Sequence, residues 1–167
     1  VNDAGVVTSL DPETGNVIRQ GRVEGAPGNY YSSPVAADGK IYFSDATTKF
    51  PAERGGTMAA SLLDIMEHGG HGRLLVYDPA TGKTTVVLGG LNFANGVAVN
   101  PEQDFVLVND TASYRVIRVW IAGERRGQSE PLIEALPGFP DNISAGENGR
   151  FWVALVSPRN PVVDGLS

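Results

Sequence analysis

This sequence predicts an all-β chain built as part of a β-propeller, and three observations carry that prediction. Short apolar, β-favouring runs recur along most of its 167 residues, and glycine (21) and proline (11) punctuate those runs instead of clustering. A hairpin pattern then occurs twice. Residues 96–99 and 105–108 flank the turn 100–104, and residues 141–145 and 151–155 flank 146–150, with Asn142 placed 47 residues after Asn95. Four strands and their turns occupy about that length in one propeller blade. Finally, the turn DPETG at residue 11 returns as DPATG at residue 78, a separation of 67 residues that equals one blade plus an insertion.

Residues 6–10 and 16–23 read as two strands joined by DPETG, where proline presets φ and glycine supplies the positive-φ exit. Residues 25–29 read as a loop. Residues 33–37 and 40–44 pair across Asp38-Gly39, a dipeptide favoured in two-residue hairpins. The rhythm breaks over 47–72, where Ala59, Leu62, Leu63 and Met66 at helical spacing predict one short helix over 58–68, ended by glycines at 69, 70 and 72. On that helix Asp64 and Glu67 read as the wet face. Strands resume at 74–77, 84–88, 96–99, 105–108, 115–121, 131–135, 141–145 and 151–155.

Four-stranded blades, numbered outward from the propeller axis, divide the chain into a half blade at 5–23, a blade at 33–88 carrying the helical insertion 47–72, a blade at 94–135 and a half blade at 141–156. About three blades' worth of sequence is a partial ring, because a propeller closes with four or more blades. The expected partner is therefore a second copy or a complementary half that covers the open strand edges.

Composition narrows the function. Asp and Glu outnumber Lys and Arg by 19 to 13, which argues against nucleic acid, whose phosphates need a basic face. The absence of cysteine excludes disulfides and thiolate zinc sites. No run approaches a membrane span and the first residues carry no charged-then-apolar leader, so a soluble chain is expected.

Three side chains are candidates for proton transfer. Asp110, at the end of a strand, is a general base if it faces the channel and a turn residue if it does not. His68 and His71, the only histidines, sit three apart around two glycines and would permit proton shuttling, or they simply shape the loop. Phe93, Phe139, Trp120 and Trp152 read as packing between blades, and Arg115, Arg118, Arg125 and Arg126 as structural.

The phrases IYFSDATTKF, SLLDIMEHGGHGRLLVYDPATG, GLNFANGVAV, SYRVIRVWIAG and LPGFPDNIS, in that order, resemble the strictosidine synthase-like family of six-bladed propellers, related to gluconolactonases and paraoxonases. Residues 1–40 look more like a quinoprotein propeller repeat. The resemblance implies calcium at the top of the central channel, held by side chains at the starts of the innermost strands, which places ligands at Asn95 and at Asp141 or Asn142. These are hard oxygen donors, and calcium takes six to eight oxygens. The first-blade counterpart falls at Tyr31, Ser32 or Ser33, and the family's early-blade glutamate ligand has no counterpart here. In those relatives the insertion carrying His68 and His71 covers the top face. The implied activity is calcium-assisted hydrolysis of a small lactone or aryl ester. A propeller scaffold without catalysis is the alternative. The namesake condensation of an amine with an aldehyde needs a glutamate from a later blade, for which this chain offers no position.

Overall fold

The computed structural model describes residues 5–23, 31–52 and 55–165; the loop expected over 25–29 lies outside them. The expected all-β propeller architecture is what the chain adopts. Strands β1 (Val6–Leu10) and β2 (Val17–Arg22) form a two-stranded sheet. A four-stranded sheet follows in simple meander order, β3 (Tyr31–Ala37), β4 (Lys40–Asp45), β5 (Gly72–Asp78) and β6 (Lys83–Leu91). Its twin contains β7 (Ala94–Val99), β8 (Phe105–Asp110), β9 (Arg115–Trp120) and β10 (Ser129–Ile133). Strands β11 (Gly138–Ala145) and β12 (Phe151–Pro158) form the last pair. Every pairing is antiparallel.

The core lies between sheets, as alternation along each strand requires. On β8, Val106 and Val108 point to one side and pack with Leu74, Leu91 and Val97, between the two four-stranded sheets. Leu107, between them in sequence, points the other way and packs with Ile143 of β11. Strands β4 and β5 repeat the device: Tyr42 and Leu74 face the second sheet, whereas Phe43, Leu75 and Tyr77 face Val7, Val23 and Tyr31. Both faces of β5, β7 and β8 are largely buried, so these strands read as nearly continuous apolar runs, whereas β2, β6, β10 and β12 are largely exposed.

The loop between β4 and β5 holds helix α1 (Gly56–Glu67), close to the expected span. Its mounting differs from the expectation. Ala60 and Asp64 are the buried residues, while Met58, Leu62, Leu63 and Met66 are 74%, 53%, 51% and 55% exposed. The helix thus turns its small and carboxylate-bearing face to the propeller. His68 occupies a left-handed cap position, φ 53°, and its N–H closes the helix on the Asp64 carbonyl at 3.0 Å. A second short helix, α2 (Pro161–Asp164), follows β12 and is capped by Asn160.

Trp152 also departs from the expectation of inter-blade packing. It is 68% exposed, because among the described residues β12 pairs with β11 alone and no further strand lies alongside it. Phe93 and Phe139 are buried. Among the described residues no helix is long and apolar enough to cross a membrane.

Candidate functional site

The innermost strands β3, β7 and β11 share one irregularity. Each breaks register with its neighbour, between Ser32 and Val35, between Ala94 and Val97, and between Pro140 and Ile143. A bulge of this kind bends a strand and re-aims the side chains within it. The residues caught in the three bulges are Ser33-Pro34, Asn95-Gly96 and Asp141-Asn142; of the first-blade positions expected from sequence, Ser33 falls in its bulge, whereas Tyr31 and Ser32 pair in the ladder with Asp45 and Ser44. Beside the bulges, the strands line an open groove of about 350 Å³, walled mainly by Val35, Val97, Val99 and Ile143, with Ser33 and Ser144 as its hydroxyls.

The structure brings Asn95 and Asp141 together. Asn95 Nδ2 donates to Asp141 Oδ1 at 2.5 Å, and Asn95 is only 8% exposed. Asn142, the residue selected by the 47-residue spacing, is exposed, and its Nδ2 lies 3.5 Å from Asp141 Oδ2. Contact across the axis therefore follows a 46-residue spacing, Asn95 to Asp141. Gly96 makes this approach feasible. A β-carbon there would lie 2.5 Å from Ile143 N, 2.6 Å from the Asp141 carbonyl oxygen and 2.9 Å from the Asn142 carbonyl carbon, all backbone of β11. In the first blade, Ser32 and Ser33 stand with their hydroxyls 3.2 Å apart.

As a donor set, one carboxylate and two amides with no sulfur or imidazole match the preference of calcium rather than zinc. An amide that turns about its terminal bond exchanges nitrogen for oxygen, so Asn95 and Asn142 can offer oxygens to the point that Asp141 already faces. Three groups are fewer than the six to eight oxygens calcium takes. Among the described residues no cluster of three His, Asp or Glu side chains adds to them.

Asp110 is placed differently. It is fully buried at the end of β8; its Oδ1 accepts the Asn92 N–H at 2.7 Å, and its Oδ2 accepts Arg115 Nε at 2.8 Å. Burial pushes its carboxyl above the ordinary value, opposed by the Arg115 charge and the Asn92 amide. The first blade builds the same bracket. Asp45, also fully buried, ends β4 and pairs with Arg73 at the start of β5, and in both blades the two partners sit directly opposite each other in the ladder. This recurrence identifies the pair as a blade element that ties strand two to strand three.

His68 meets Asn92, three residues before Asn95. His68 Nε2 lies 3.1 Å from Asn92 Nδ2, which also donates to Ser113 Oγ at 3.0 Å, while Asn92 Oδ1 accepts the Gly70 N–H at 2.8 Å. One side chain thereby staples the insertion to the second blade. His71 stands 3.3 Å from Glu67, whose other oxygen meets Lys49. The Lys49 hydrogen bond, the largest cause, and the neighbouring His71 hold the Glu67 carboxyl below its ordinary value. Beneath α1, burial pushes the Asp64 carboxyl up, against the Thr47 hydroxyl, the His71 charge and the Phe93 amide.

Known proteins give this arrangement a context. The chain is 43% identical over 129 residues to adipocyte plasma membrane-associated protein of Rattus norvegicus, covering 76% of this chain and 33% of that protein. It is 35% identical over 146 residues to strictosidine synthase-like protein 13 of Arabidopsis thaliana, covering 87% and 34%. It thus spans about a third of the length of these relatives. Among solved structures, a gluconolactonase of Xanthomonas campestris superposes with a TM-score of 0.61 at 20% identity, over 89% of this chain and 48% of that one. Regucalcin of Agrobacterium tumefaciens, described as a calcium-binding protein, gives 0.57 at 19% identity, over 87% and 45%. These two likenesses establish the propeller fold. Residues 34–124, more than half of the sequence, match the family described as strictosidine synthase, and the chain belongs to that family.

Proposed function

We propose that the axial site around Asn95 and Asp141 is the metal and substrate site of a calcium-assisted hydrolase acting on a small lactone or aryl ester. The observation that supports this reading most is the 2.5 Å contact between Asn95 and Asp141, which joins two neighbouring blades through oxygen-bearing side chains at the axis. Asn95, Asp141 and Asn142 would hold the cation. Calcium, when bound, supplies Lewis-acid polarisation of the ester carbonyl. The apolar walls of the groove, Val97, Val99 and Ile143, accept the body of the substrate. Proton transfer belongs to the insertion in this reading. His71 has the Glu67 carboxylate beside it, and His68 reaches Asn92, three residues before the axial Asn95. Asp110 is a brace for Asn92 instead, since both of its oxygens are already engaged. The calcium-binding description of the regucalcin neighbour and the lactonase activity named for the gluconolactonase neighbour agree with this assignment.

Calorimetric and thermal titrations of the chain with calcium, run beside lactone and aryl-ester assays, test the proposal. At calcium one hundred times Kd the expected stabilisation is about 2.7 kcal/mol, a rise of about 5–10 °C in Tm for a domain of this size. Asn95→Ala and Asp141→Ala should remove that rise and the turnover, and Asn142→Ala should weaken both. Turnover and Tm indifferent to calcium, to chelator and to all three substitutions would overturn it.

A second reading, a propeller scaffold that assembles through an open edge, is favoured by the exposed Trp152 and Val156 on β12. Sedimentation of the same samples separates the two: a dimer or larger species supports assembly, and a monomer argues against it.

A further inference from the structure

The end of β8 reaches across to the axial strand of the next blade. Asn109 Nδ2 donates to the Asp141 carbonyl oxygen at 2.8 Å, and Thr111 Oγ1 donates to the Pro140 carbonyl oxygen at 2.7 Å. Both donor residues are almost entirely buried. The two acceptors are successive carbonyls at the bulge of β11, where register with β12 shifts on either side of Pro140. Side chains from the neighbouring blade thus bind backbone that an irregular ladder serves poorly. With Asn95 on the Asp141 carboxylate, the Pro140-Asp141 segment is gripped at three points.

The first blade shows what the same position does without this reach. Ser44 precedes Asp45 as Asn109 precedes Asp110, and its hydroxyl donates at 3.2 Å to the Ser32 carbonyl of its own blade. The longer Asn109 instead spans to β11. Its Oδ1 is enclosed and has no hydrogen-bond partner among the described residues. A group buried in that way is destabilising, so the position is poorly explained by stability alone.

We propose that Asn109 and Thr111 are positioning residues for the axial site: they fix the Pro140-Asp141 backbone so that the Asp141 carboxylate stays beside Asn95, and they thereby set the affinity of that site for calcium. The inference rests on reading the axis as a calcium site. Removing groups that orient metal ligands typically costs 10–100-fold in metal affinity.

The test is isothermal titration of the full chain with calcium alone, with the Tm of the metal-free protein recorded in parallel. Thr111→Val, which keeps shape and removes the hydroxyl, should raise Kd about tenfold or more. Asn109→Leu should do at least as much, and Thr111→Ser, which keeps the hydroxyl, should stay within about threefold of the parent. A lowered metal-free Tm with unchanged Kd in Thr111→Val and Asn109→Leu would overturn the inference and leave these residues as a staple between blades. Should Asn109→Leu fail to fold, the contrast between valine and serine at 111 decides. A parent chain that binds no calcium overturns the reading of the axis itself, and this inference with it.

Discussion

Gly96→Ala should cost about 3 kcal/mol, the upper part of the range for overpacking a close-packed contact, and should lower Tm by about 6–12 °C. The added β-carbon would meet three backbone atoms of β11 at 2.5–2.9 Å, and backbone in a sheet cannot yield as a flexible side chain does. Strand β11 must move away from β7, which breaks the contact between Asn95 and Asp141 and loosens the packing of Ile143 on Leu107. Thermal unfolding gives the size of the effect, and hydrogen exchange gives its place: β11 amides should lose protection before those of β4 and β5. A Tm within 1 °C of the parent would show that the blades do not meet as closely as described.

Asp110→Ala should be comparably severe. Removing one partner of a buried pair costs about 3–5 kcal/mol, and the lower end applies because the Arg115 side chain remains 31% exposed. The loss has two parts, an Arg115 left without its carboxylate and an Asn92 N–H left without an acceptor. Asp45→Ala should repeat the effect in the first blade, where Arg73 is similarly placed. A cycle with Arg115→Ala measures the coupling, expected at about 2 kcal/mol or more. If Asp110 were instead the general base, Asp110→Asn would abolish turnover while leaving Tm unchanged, and that outcome would contradict its role as a brace.

These two residues show what sequence could and could not disclose. The strands were legible because turn chemistry and alternation mark them locally: Asp38-Gly39 and the two DP-x-TG turns lie where the chain reverses. Helix α1 was legible as a helix, but its mounting was not. Periodicity assumes that the apolar stripe faces inward, whereas here Ala60 allows close approach and Asp64 goes beneath, leaving Leu62 and Leu63 outside. The axial asparagine was found through its repeated hairpin. Its partner was left open between Asp141 and Asn142: the 47-residue spacing matched Asn95 with Asn142, whereas the bulges bring Asn95 to Asp141.

Asn109 and Thr111 were missed for a related reason. A strand end rich in polar residues reads as a solvated turn, and only the fold shows these side chains buried against the next blade. A signal was nonetheless present: Asn109-Asp110-Thr111 follows four apolar residues just as Ser44-Asp45 closes its own strand. A repeated polar stop after an apolar strand marks a position whose side chains have work inside the protein. Trp152 errs in the opposite sense, since an aromatic on a β position is buried only when a neighbouring strand covers it.

Asn95 and Asp141 are the proposed core of a calcium site at the propeller axis. The most direct measurement is a diffraction experiment on crystals of the chain grown with calcium, locating the cation from its anomalous signal. The account predicts a peak about 2.3–2.6 Å from an Asp141 carboxylate oxygen and from Asn95 Oδ1, the distances that calcium takes to oxygen. An axis carrying no such peak, or calcium found only elsewhere on the molecule, would contradict it.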